Sequence, residues 1–192
     1  MSDVAAVPSP AVPAHPRRKF LIAVLVGAVV ALAIGVYGRE HDPTGETIFS
    51  LVFTKTINMK AWFATGAITL ALFQVLSALW LYGKLPIRRA APRRLGIVHR
   101  LTGTLAFLLT IPVAYHCLWA LGFQDTTDRA LAHSIAGCFF FGAFTTKVLV
   151  VQVRGLPGWS LPLVGGALFV GLSVVWLTSA LWFFREFGFP SF

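Results

Sequence analysis

The stretch "IVHRLTGTLAFLLTIPVAYHCLWALGFQDTTDRALAHSIAGCFFFGAFTTKVLVVQ", residues 97–152, decides how this chain folds. It holds two apolar runs, about 97–122 and 130–152, separated by the short polar link "FQDTTD". Each run exceeds the roughly 20 residues that carry a helix across the hydrocarbon of a bilayer. Working outward, runs at about 20–38, 61–82 and 161–184 have the same character, which makes five.

Composition agrees. The 192 residues are 57% hydrophobic and 12% charged, whereas water-soluble domains are about 45–50% apolar and about 25% charged. Lipid offers no partner to an exposed peptide group, and these runs are too long for barrel strands, so they are helices. The expectation is an all-α integral membrane protein with helices two to five as an antiparallel bundle. One domain should cover 17–192, after a Pro/Ala-rich cytoplasmic tail at 1–16 that is too poor in large apolar residues to fold. The basic residues before the first run resemble a signal peptide, but the run is longer than a signal core and reads as an uncleaved anchor.

The net charge of +9 is unevenly placed. Arg17, Arg18, Lys19, Lys84, Arg88, Arg89, Arg93, Arg94, Arg100, Lys147 and Arg154 gather at one set of helix ends, with Asp3 as the only acid. Arg39, Lys55, Lys60, Arg129 and Arg185 share the other set with six acids: Glu40, Asp42, Glu46, Asp125, Asp128 and Glu186. The positive-inside rule puts the basic end in the cytoplasm, with the N-terminus inside and the C-terminus outside. Charge sorted in this way orients a membrane protein and gives no reason to expect nucleic acid as a partner. The lipid bilayer is the partner it implies.

Several features read as packing. Ala23, Gly27, Ala31 and Gly35 place a small residue at every fourth position of helix one, which lets a neighbouring helix approach closely. Gln74, alone in mid-span, suits a hydrogen bond to a neighbour. Trp62, Trp119 and Trp182 at one interface, and Trp80 and Trp159 at the other, are interfacial anchors. Cys117 and Cys138 lie within spans, and without a C-x-x-C-H motif they do not attach a c-type haem. The link 39–60, with a core "IFSLVF" too short to span, either rests on the membrane or covers the end of the bundle.

The histidines carry what chemistry the sequence offers. His15 falls in the tail and His41 just beyond helix one. Counting from Phe123 and from Asp128, His116 and His133 lie roughly 10 Å and 7–8 Å below the same membrane surface at 1.5 Å per residue. His99, 17 residues from His116, belongs roughly 25 Å away at the basic end. "HRLTG" and "HSIAG" each place a glycine, Gly103 or Gly137, four residues after a histidine and on the same helix face. A missing side chain there leaves room for a flat macrocycle held by the imidazole. Two neutral imidazoles on one haem iron leave no open coordination position, which suits electron transfer. The same residues also allow other readings: hydrogen bonds that merely lock the 116–133 hairpin, another metal or quinone site, or a small transporter or quinone-binding protein using Gln74 and the outer histidines.

"GIVHRLTGTLAFLLTIPVAYHCLWALGF" (96–123) resembles the histidine-bearing helices of membrane b-type cytochromes and ferric-reductase-like proteins. Over nearly the whole chain, carried by "HRLTGTLAFLLTIPVAYHCLWALGF" and "HSIAGCFFFGAF", the sequence is more similar to an uncharacterised family of small five-helix membrane proteins from high-GC bacteria. The cytochrome resemblance implies one haem b ligated by His116 and His133 as haem-iron ligands, with Gly137 beside it. His99 and Gly103 are a weaker second pair, since di-haem cytochromes use four histidines at two depths and His99 has no partner at its depth. It also implies a bacterial cytoplasmic membrane location and other membrane or membrane-associated redox proteins as partners. No acid lies deep in a span, and no P-loop, HExxH or nucleophile motif occurs, so catalysis by this chain alone is not expected. The runner-up is a cofactor-free structural or assembly subunit of a membrane redox complex.

Overall fold

The computed structural model describes residues 16–47, 49–86 and 90–190. Residues 1–15 of the tail expected at 1–16, and the loop residues Arg88 and Arg89, lie outside them. Five long helices make up the fold: α1 Pro16–Glu40, α2 Thr56–Leu81, α3 Leu95–Leu121, α4 Asp128–Val151 and α5 Ser160–Phe187. They are 24 to 28 residues long, roughly 36–42 Å at 1.5 Å per residue, so each can cross about 30 Å of hydrocarbon. Leu21, Leu25, Val29, Leu32, Leu101 and Val170 turn outward. That is the surface a bilayer, and not water, would solvate. The protein is a multi-pass membrane protein.

The helix ends follow from local sequence. Pro16, counted with the tail in the sequence reading, opens α1, where its missing N–H costs nothing. Thr127, one residue before Asp128, caps α4 by accepting a hydrogen bond from Ala130 N at 3.1 Å. α2 begins at Thr56, earlier than its apolar run, and the described residues of 41–55 fold over the adjoining end of the bundle. There the backbone N–H groups of Thr44 and Gly45 reach Trp119 O and Ala120 O at 3.3 and 3.0 Å. These bonds occupy carbonyls that the end of α3 would otherwise leave unpaired. The segment therefore covers the bundle, the second of the two roles the sequence left open. Arg39 pairs with Asp125 at 2.5 Å across the same end.

Packing follows the small residues. α1 lies on α4, α2 on α3, and α5 on both α4 and α2. Gly27 and Gly142 meet where α1 crosses α4: a Cβ on either would come within 2.5 Å of the other's carbonyl oxygen. Ala67, Ile68, Phe140 and Leu172 form the central core between α2, α4 and α5. Gln74, as the mid-span amide suggests, bridges helices. Its Nε2 donates to His99 O at 2.8 Å and to Thr102 Oγ1 at 2.7 Å, joining α2 to α3.

α3 and α4 behave differently. Although joined by the short 122–127 link, they do not pack closely along their length. Their middles are bridged by Phe107, which stacks on Phe144 with centroids 3.6 Å apart and meets Phe141 edge-on at 5.9 Å. Between this aromatic bridge and the link, the two helices stand apart. Two π-helical turns border this opening, Cys117–Leu121 at the end of α3 and Leu177–Leu181 in α5. Such turns shift the register of carbonyls and side chains and are often found at functional sites.

Candidate functional site

A cavity of about 290 Å³ separates α3 from α4 and is walled also by α2 and α5. That is close to the lower end of the roughly 300–1,000 Å³ usual for small-molecule sites. α3 contributes Thr110, Val113, Ala114, Cys117 and Leu118, spaced as one helix face. α4 contributes a face running from Arg129 to Phe141, twelve residues or roughly 18 Å. Phe140, Phe141 and Leu172 close the cavity at mid-membrane, while Gly122, Phe123 and Gln124 of the link lie at its top. The walls are mostly apolar, and among the described residues that line it no side chain is acidic.

His133 and Gly137 are both on this wall. The His133 ring is held by Thr178, whose Oγ1 lies 3.1 Å from Nδ1. A hydroxyl has one proton, and that of Thr178 goes to Val174 O at 2.6 Å, with Val175 O at 3.2 Å as a longer second acceptor. Thr178 Oγ1 therefore accepts from His133, which puts the ring proton on Nδ1 and leaves the lone pair on Nε2. This is how a metal-binding histidine is usually oriented, by a hydrogen bond from its other nitrogen. One turn away, a Cβ built on Gly137 meets nothing within 4 Å. The glycine leaves open space beside the imidazole.

The second histidine–glycine pair differs. Ser77 Oγ lies 2.7 Å from both His99 Nδ1 and Phe73 O, so it ties the His99 ring to α2. Its glycine is not open, however. A Cβ on Gly103 would stand 2.8 Å from Gln74 Oε1, because the Gln74 amide occupies that space. Gly103 accommodates a helix-bridging glutamine.

His116 is buried, with 7% of its surface exposed, and its Nδ1 has no hydrogen-bond partner among the described residues. It sits between Ala114 and Cys117 in sequence but off the face they share, and it does not line the cavity. No hydrogen bond joins it to His133 among the described residues. The hairpin is instead tied by Ser134, whose Oγ accepts from Gln124 N and donates to Gln124 O, both at 3.0 Å.

Three contributions escape the sequence. Thr178 lies 45 residues beyond His133, and nothing in its surroundings marks it as that histidine's partner. Lys60 and Arg129, which reads as orientation charges alone would explain, both line the cavity. Arg129 is engaged already: NH1 donates to Thr178 O at 2.6 Å, and the guanidinium lies 3.8 Å from the Trp182 ring centroid. Lys60 acts electrostatically on both His116 and His133, so all three share one end of the bundle. The two cysteines, read as packing groups, are free thiols on facing cavity walls.

The chain belongs to a family of unknown function (DUF6529), whose model matches residues 20–191. No curated protein and no solved structure is similar enough to match.

Proposed function

We propose that this protein is a membrane electron-transfer protein of the bacterial cytoplasmic membrane that holds one haem b in the cavity between α3 and α4. The observation that carries the reading is His133: a cavity-lining imidazole whose Nδ1–H is tied to Thr178, with its Nε2 lone pair left for a metal. Gly137 provides the flat clearance one turn away. The apolar walls suit a macrocycle, and Lys60 suits its acid groups. His116 is the second ligand in this reading, a buried imidazole with an unsatisfied nitrogen one residue from the wall. His133 already lines the cavity, whereas His116 lies off its wall and must turn toward it to bind the same iron.

Haem bound through two histidines supplies reversible one-electron transfer without an open position for oxygen. The chain's own residues then do three things. Thr178 fixes the tautomer of His133, the aromatic bridge at Phe107 closes the cavity from below, and the 41–55 segment covers the end above. Donor and acceptor are then other membrane or membrane-associated redox proteins. Copurification decides the matter: protein expressed with ample haem should carry close to one haem per chain and show a reduced-minus-oxidised difference spectrum of the b type.

One observation favours a second reading, a cofactor-free structural or assembly subunit. The His133–Thr178 bond ties α4 to α5 as His99–Ser77 ties α3 to α2, and interhelical bonds of this kind hold bundles together without any ligand. Under that reading the purified protein is colourless.

A further inference from the structure

Lys60 sits in the second turn of α2, on the cavity wall, and none of the ion pairs or hydrogen bonds among the described residues engages it. The other cation of the wall, Arg129, is committed to Thr178 O and the Trp182 face. No acid lines the cavity among the described residues. An ammonium at the edge of an apolar cavity, unmatched by any carboxylate, is stabilised by an anion arriving with the ligand. The rest of the wall is mostly apolar, with His133, Ser134 and Ser179 among its few polar groups, down to Phe140 and Phe141.

We propose that Lys60 anchors a carboxylate of the cavity's ligand, so that the cavity selects a molecule with an apolar body and an acid group at its outer end. This deepens the haem reading without depending on it, because the same chemistry comes from two sources: a haem propionate or the headgroup of a long-chain fatty acid taken from the bilayer. In either case the apolar body points toward mid-membrane and the acid group toward the link at 122–127. Lys60 acts as a positioning residue.

Binding to the detergent-purified full chain tests this with four probes: haemin, haemin dimethyl ester, oleic acid and methyl oleate. Haemin binding is read by absorbance. Oleate binding is read as protection of Cys117 and Cys138, the two cavity thiols, from a maleimide. A charge-assisted hydrogen bond is worth about tenfold in affinity or more. The wild type should therefore prefer a free acid to its ester by about that factor. Lys60→Gln should lose the preference, and Lys60→Arg should keep it, which also shows that the position tolerates exchange. Lys60-dependent preference for haemin supports the anchor and the haem reading together. The same preference for oleate, with haemin unbound, supports the anchor and overturns haem. Haemin that binds as well as its ester in both wild type and Lys60→Gln overturns the anchor and leaves the haem reading standing. Failure of all four probes to bind overturns both.

Discussion

Thr178 Oγ1 lies 3.1 Å from His133 Nδ1, and its own proton is already given to Val174 O. That hydroxyl on α5, with the Val175 carbonyl as a further acceptor for the ring, sets the tautomer of an imidazole on α4. Thr178→Val keeps the shape of the side chain and removes the acceptor. In the haem account this should weaken haem binding by about 10- to 100-fold, the usual effect of losing such an outer partner. Haemin titration of the apoprotein measures it. Thr178→Ser should restore most of the affinity.

The two glycines that follow histidines should respond in opposite ways. Gly137→Leu enters open space, so the variant should fold with wild-type thermal stability yet hold no haem. Gly103→Ala meets the Gln74 amide and should lower stability while leaving haem content unchanged. Equal haem loss in both variants would remove the distinction between an open and a filled clearance.

Close approach of α1 and α4 rests on Gly27 and Gly142. Gly27→Leu would drive a side chain into Thr146 Oγ1 and the Gly142 carbonyl. Overpacking of this kind costs about 1–3 kcal/mol, so the variant should unfold at lower temperature in detergent. Among the described residues of α1 only Ile34 lines the cavity, two turns from Gly27, so folded Gly27→Ala protein should keep its ligand.

His99→Ala removes one interhelical bond to Ser77, of the class worth about 0.6 kcal/mol in membrane bundles. Haem content should be unchanged. Loss of half the haem would instead reveal a second site at the basic end.

Orientation follows from the sorted charges. A reporter fused after Arg89 should behave as cytoplasmic, and one fused at the C-terminus as external. The reverse pattern would exchange the two faces of the membrane and place the cavity on the cytoplasmic side.

Much of the fold was legible because membrane helices announce themselves by length and apolarity, and nothing in water competes with that signal. The run at 20–38 needed only a few residues added at each end to become α1, and the run at 130–152 differs from α4 by one or two residues at each end. The small-residue pattern at Gly27 showed where α1 would meet a neighbour, though not that the neighbour would be α4. The site was legible only in part. A histidine four residues before a glycine marks a face, and both copies look alike in sequence; what distinguishes them is Gln74, far along the chain, lying against Gly103 alone. Likewise a short link suggests that its two helices touch, but contacts of α2 with α3 and of α4 with α5 hold α3 and α4 apart. Neither π-helical turn had a sequence signal, since the register shift depends on what the carbonyls find as partners. His116 shows the limit most directly: its depth follows from counting residues, whereas its facing depends on one rotation of about 100° per residue around α3.

The ferric spin state of the purified protein, read by electron paramagnetic resonance in the wild type and in the His116→Ala and His133→Ala variants, reports whether the two histidines share one haem iron. The account requires low-spin ferric haem in the wild type, and its loss or conversion to high spin in each single variant, with the double variant no worse than either. A wild type expressed with ample haem that yields no haem signal would contradict it. So would low-spin haem that survives removal of His133.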